Sequence, residues 1–394
     1  MTMYFAYQLL KKLLMSLALG ATLIACQPSP LQTVETGELL LPDQDPKYRF
    51  TRNQESSVDT QEPDLLRSTL NELHERFLDQ AQIRNQELMN TAQQMFDLGL
   101  YGYAPKTYIA QSQMHQEHRD QILADLNALI EISAKLSGLG APNPSQHRRR
   151  EAAPMISGFV DGALGGKLVF VDERGLVVAR AFASAILGAI NLDQILNVHL
   201  DDRVVQSREL ERDHENQVLI KGNNYTALEH HWDLAYGYYL QGLRALALSD
   251  GIQALRGTAR RLDLAFTLGR IDINYHLYDM LPRHVQTIRQ ELKHVWLTRL
   301  EYLLVGGNTL ANLGETPTLA FSMLSQAYGM IYALQFLRSP EGKPYFTYQE
   351  VKELQAQLVG NKGLWDYKRL RGDGTEMGDL HRIVQMIKTR LNTR

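Results

Sequence analysis

The sequence predicts an all-α protein of two packed helical bundles, set behind an export signal and a flexible tether. Apolar residues recur at spacings of three and four through most of the chain after Asp64, the period of a helix with one buried face. Few segments alternate with period two, and hairpin signals are sparse. The composition is that of a folded chain rather than a disordered one, with 44% hydrophobic and 22% charged residues among 394. Helices with one apolar stripe bury it against each other, so bundles are the simplest architecture.

Residues 1–25 read as a signal peptide. Lys11 and Lys12 precede an uncharged apolar run, Leu13 to Leu23, which is shorter than the about 20 residues a bilayer span needs. Leu23-Ile24-Ala25-Cys26 then resembles the bacterial lipobox, in which cleavage falls before a cysteine whose thiol takes up lipid. Cys26 is the only cysteine in the chain, so the mature fold has no internal disulfide and must stand on its core. Lipid on Cys26 makes the membrane a partner. Gln27 follows it, which by analogy favours an outer-membrane lipoprotein facing the periplasm or the cell surface.

Residues 26–62 are rich in Pro, Gln, Asp, Thr and Ser and read as a flexible tether, with Tyr48-Arg49-Phe50 as the first piece to dock. Residues 63–394 form the helical domain, with sub-bundles expected over 63–200 and 223–394. Leu66, Leu70, Leu73 and Phe77 begin a stripe that can run to Leu98, where Gly99 and Gly102 end it. Ile122, Leu126, Leu129 and Ile132 form the next stripe. Lys167 to Val171 suits a small strand or an extended loop. A helix over 176–199 carries the small residues Ala181, Ala183, Ala185, Gly188 and Ala189, which permit close packing. The charged stretch 201–222 reads as a loop with a helical piece. Further helices are expected over 225–248, 250–280, 282–305, 317–337, 347–359 and 376–391. No second apolar run long enough for a membrane span is read in the mature chain. A net charge of −3 and the isolated Arg148-Arg149-Arg150 beside prolines argue against nucleic acid as a partner.

One segment looks like chemistry. Thr226 and Glu229 are spaced as a capping box, which would start a helix carrying Glu229-His230-His231-Trp232-Asp233. Glu229 and Asp233, four apart, share a face. Two imidazoles and two carboxylates could supply ligands for a divalent metal. The other reading is a structural hydrogen-bonded cluster with Trp232, and it weighs more. Adjacent histidines diverge by about 100° on a helix and rarely meet one ion. Arg270 from a later helix could supply the counter-charge. Asp263 and Asp272 on the same segment could pair with the cluster, and His276 and His284 read as satisfied interior or surface groups. No serine nucleophile elbow occurs, and no residue is assigned a catalytic role.

These residues carry a resemblance. Tyr225 to Asp233, with Ala235-Tyr236-Gly237-Tyr238, resembles the signature of the DUF4856 family of bacterial lipoproteins. Gly175-Leu176 with Gly188-Ala189 and Gln194, Ala265-Phe266 with Gly269-Arg270 and Ile273, and Leu324-Ser325-Gln326-Ala327-Tyr328-Gly329 agree in order and spacing. The resemblance covers about residues 48 to 390. That family is similar to imelysins, helical periplasmic proteins of two bundles with a His-x-x-Glu motif and a link to iron uptake. It implies a non-catalytic binding lipoprotein of the envelope, concerned with metal uptake or a partner protein. The alternative it implies is an imelysin-type metallopeptidase. The chain departs from the family pattern at Leu234 and Gln326, each of which replaces a carboxylate.

Overall fold

The computed structural model describes residues 47–74, 86–137, 151–160, 169–248, 251–306, 309–314 and 317–392. The signal peptide, Cys26 and tether residues 26–46 lie outside the described residues, as do Phe77 and the arginine run at 148–150. Helices dominate, as the apolar periodicity predicts.

The chain enters through a two-residue-loop hairpin, β1 (Thr51–Arg52) paired antiparallel with β2 (Glu55–Ser56). Asn53 and Gln54 at its tip have φ of 52° and 67°, the left-handed pair that a type I′ turn requires. Helix α1 (Gln61–Glu72) buries Pro63, Leu66 and Leu70. Helix α2 (Gln86–Leu98) ends at Gly99, as expected. After short α3 (Pro105–Tyr108), helix α4 (Arg119–Ser137) buries Ile122, Leu126 and Ile130 and leaves Leu129 and Ile132 half-exposed. The expected strand near Lys167–Val171 is β4 (Val169–Val171), paired with β3 (Gly158–Val160).

Helix α5 (Val178–Ile186) continues as two π-helical runs, Leu187–Leu192 and Gln194–His199. Together with α6 (Asp202–Val205) it makes a helix long and apolar enough to cross a membrane by length and composition. This corrects the expectation of no second such run. Most of this stretch is buried among other helices, because it is the central helix of the core.

Helices α7 (Arg208–Glu215) and α8 (Ala227–Tyr238) follow. A π-helical turn, Tyr239–Leu243, joins α8 to α9 (Arg244–Ala247). Then come α10 (Thr258–Asn274), α11 (Leu281–Leu304), α12 (Thr309–Asn312) and α13 (Pro317–Tyr332). Helices α14 (Tyr348–Val359), α15 (Tyr367–Arg371) and α16 (Asp379–Asn392) close the chain.

All described residues belong to one unit, Gly37–Arg394. Its most extensive helix pair is α5 against α13, so packing runs across the boundary expected between residues 200 and 223. Small residues make this approach possible. A Cβ on Gly329 would sit 2.2 Å from the Ala181 carbonyl oxygen, and one on Gly188 would sit 2.1 Å from Ala333 Cβ. The close packing read from Ala181, Ala185 and Gly188 is therefore realised between halves.

Candidate functional site

Helix α8 starts as its sequence dictates. Thr226 Oγ1 accepts from Glu229 N at 3.5 Å, and Glu229 Oε2 accepts from Thr226 N at 2.7 Å, completing a capping box. Glu229 is thereby fixed in the first turn, where the helix dipole also favours its charge.

The same carboxylate takes two guanidiniums. Arg270 Nη2 of α10 lies 2.9 Å from Glu229 Oε1. Arg52 Nη1 and Nη2 of the hairpin donate to Glu229 Oε2 and Oε1, both at 3.0 Å. Arg270 also reaches Asp233 one turn further on, Nε to Oδ1 at 3.1 Å. Tyr48 donates to the same Asp233 oxygen at 2.5 Å. Arg270 is fully buried, with Ser57 Oγ and Asn274 Oδ1 accepting further N–H groups and the Phe50 ring 4.9 Å from its charge. Two carboxylates thus face two guanidiniums, the balance a buried charge cluster needs.

Arg270 reaches both acids because α8 and α10 lie close. Trp232 is buried against Gly269, where a Cβ would come within 1.9 Å of the indole Cζ2, and its Nε1 donates to Phe266 O at 2.8 Å. Trp232 therefore sets the helix spacing, and Gly269 admits it.

Burial would raise the Glu229 carboxyl, but His214 Nε2 3.8 Å away, the Arg270 charge and the hydrogen bonds from Arg52 and the Thr226 N–H together hold it far below the usual range. Asp233 comes out the other way. Burial dominates over Arg270 and the Tyr48 hydrogen bond, and its carboxyl is pushed up to about 7. Its Oδ2 is buried with no hydrogen-bond partner, so nothing solvates a negative charge there.

The two histidines leave this cluster. His230 stacks on Tyr225 at 4.6 Å. His231 meets His199 from the end of the π-helical run, Nδ1 to Nδ1 at 3.0 Å. Burial, then His230, lowers His231 to about 4, and burial with both neighbouring histidines lowers His199 well below its ordinary value.

The four residues read as a metal set are therefore not brought to one point. The carboxylate oxygens are held by guanidinium, tyrosine and backbone donors, and the imidazoles turn away. Among the described residues no group of three or more His, Cys, Asp or Glu converges as metal ligands. The donor set does not fit a divalent ion.

Arg270 is the orienting charge the sequence suggested. Asp263 and Asp272 do not join it. Asp263 is paired with Arg244 at 2.9 Å and Asp272 with His284 at 2.7 Å, because they point from other faces of α10.

Sequence reasoning missed the residues that come from far away. Tyr48, Arg52 and Ser57 belong to the stretch read as tether. That reading is corrected for residues 47–62, which dock along α8. Asn224 Nδ2 donates to Arg52 O at 2.8 Å, Tyr225 to Asp59 Oδ2 at 2.6 Å, and Tyr238 to Glu62 Oε1 at 2.8 Å. Tyr48 stacks on Tyr236 at 3.8 Å. Only Tyr48 and Phe50 gave a sequence signal, as two aromatics in a polar stretch.

The family model described as a domain of unknown function, DUF4856, matches residues 45–392. The chain belongs to the DUF4856 family. The DUF4856 match ends with α16 and takes in the clamp formed by Tyr48, Arg52, Glu229, Asp233 and Arg270. No curated protein and no solved structure matches the chain.

Proposed function

We propose that the protein is a cell-envelope lipoprotein, held to a membrane by lipid on Cys26, whose helical domain acts by binding rather than by catalysis. The observation that supports the non-catalytic reading is Arg270. It occupies the space between Glu229 and Asp233 that a metal would need. Removing a buried guanidinium from two carboxylates costs several kcal/mol, so an ion would compete against a filled site.

In this reading the Glu229–Asp233 signature has a mechanical task. It fastens the chain that arrives from the lipid to the core, through Tyr48, Arg52 and Ser57. The domain's partner is then another envelope protein or a component of metal uptake, the class that a resemblance to imelysins would imply. The outer membrane, facing the periplasm or the cell surface, is the location this reading takes from Gln27.

Fractionation of cells making the full chain tests the anchor. Cys26→Ser should appear in the soluble fraction without acyl label; a labelled, membrane-bound variant would overturn the lipoprotein reading. The full chain in detergent, incubated with casein and added Zn, Mn or Fe, tests the rest. No cleavage is expected. Cleavage that disappears in His231→Ala at unchanged melting temperature would replace this reading with an imelysin-type metallopeptidase.

A further inference from the structure

A second polar cluster lies away from the clamp, in a cavity of about 230 Å³ between α4, α5, α13 and α14. Its charges come from two ion pairs. Asp125 of α4 accepts from Lys352 Nζ at 2.9 Å, Tyr332 at 3.0 Å and Tyr348 at 2.8 Å. Arg174, just before α5, is held by Asp172, with Nε donating at 3.0 Å. Lys352 has three N–H donors and Arg174 five, so each cation keeps donors beyond its carboxylate.

Gln355 of α14 also lines the cavity. It is 3% exposed, its Nε2 donates to Tyr328 O at 3.0 Å, and its buried Oε1 has no partner. A buried amide oxygen without a donor costs about 1–3 kcal/mol, so the position favours something that brings one. The remaining wall is Tyr328, which lies beside Arg174, and an apolar side made by Leu126 and the half-exposed Leu129 and Ile132 of α4 with Ala128 and Ala185. Leu129 and Ile132 belong to the helix's apolar stripe and are only half-covered, Leu129 packing partly against the core.

We propose that this cavity binds a free α-amino acid with an apolar side chain. The formal charges of Asp125, Asp172, Arg174 and Lys352 cancel, which suits a ligand carrying both signs and no net charge rather than phosphate or another anion. The carboxylate takes the spare donors of Lys352 and Arg174. The ammonium donates to Gln355 Oε1. The side chain lies on Leu129 and Ile132. The volume is below the range of about 300–1,000 Å³ typical of drug-sized sites, which limits the ligand to the size of leucine or phenylalanine. The site is independent of the clamp and of the membrane anchor.

The test is the melting temperature of the full chain in detergent, titrated with L-leucine, L-phenylalanine, glycine, leucinamide, N-acetyl-leucine and inorganic phosphate up to about 10 mM. A saturating rise with leucine or phenylalanine is expected, with a smaller one for glycine and none for the amide, the acetylated acid or phosphate. Lys352→Met should weaken binding about tenfold or more. Ile132→Trp, which fills the apolar side and leaves both ion pairs intact, should abolish it. No shift with leucine or phenylalanine would overturn the proposal. So would an equal shift with phosphate or either blocked leucine, or a shift that persists in Ile132→Trp.

Discussion

Two neighbouring faces of α8 bury polar side chains in opposite ways. One face carries Glu229 and Asp233, whose charges are met by Arg52 and Arg270. The next carries His230 and His231, packed on Tyr225 and His199, and among the described residues no carboxylate is bonded to either ring. On the first face the ionised Glu229 is stabilised by its two guanidiniums while burial favours the neutral form of Asp233, and the second face is stabilised by remaining neutral. Residues adjacent in sequence enter unlike environments because each step turns about 100° around the helix. Close spacing in a sequence therefore does not make a shared site.

The largest expected effect is on the charged face. Arg270→Met should cost about 3–5 kcal/mol, because it strands two buried carboxylates. Urea denaturation reads this directly; a loss below about 1 kcal/mol would mean that the charges are not what holds this face together. Gly269→Ala should cost about 1–3 kcal/mol by forcing Trp232 off α10, with a matching change in tryptophan fluorescence. Unchanged stability would show that Trp232 does not set the helix spacing.

The two faces also respond to acid in opposite directions. His231 in the folded state is lowered from 6.5 to about 4. The unfolded chain therefore takes up the proton first, and stability is lost as pH falls from 6.5 toward 4. Asp233 is raised from 3.8 to about 7, so the folded state holds its proton more tightly and stability grows as pH falls from 7 toward 3.8. Glu229 is held low, and its contribution persists until pH drops below 4.5. His231→Gln should remove that residue's share of the acid loss and leave both the share of His199 and the Asp233 gain. Between pH 7.5 and 5 its stability should therefore gain roughly 2 kcal/mol relative to the unsubstituted chain. Parallel pH profiles for the two proteins would contradict this division.

The smallest effect belongs to the hairpin. Arg52→Ala should cost about 1 kcal/mol while exposing residues 47–57 to limited proteolysis well before the helices. Cleavage at the unsubstituted rate would mean that Arg52 is not what fastens this segment.

What could be read in the sequence was what is local. The start of α8 followed from Thr226 and Glu229, and the ends of α11, α13 and α14 fell within a few residues of expectation because their stripes are regular. The π-helical runs were not legible, since a stripe with helical spacing does not reveal a wider turn. The clamp was half legible. Glu229, Asp233 and Arg270 stood out as charges on apolar faces, but Arg52 lies in a polar stretch where one more charge carries no signal. Asp263 and Asp272 looked like members of the cluster because they share a helix with Arg270, and rotation about α10 sends them elsewhere.

The distance along the chain between the partners of the clamp has a consequence for the order of assembly. Arg52 and Glu229 are separated by 177 positions. The capping box of α8 needs only residues three apart, so α8 can begin by itself, whereas the hairpin must wait for α8 and α10 to meet. Contacts between such remote segments form slowly because the intervening chain must first be ordered. During refolding, amides at 50–57 should gain protection from hydrogen exchange after those of 227–238. The first part of the domain to leave the ribosome is then among the last to find its place.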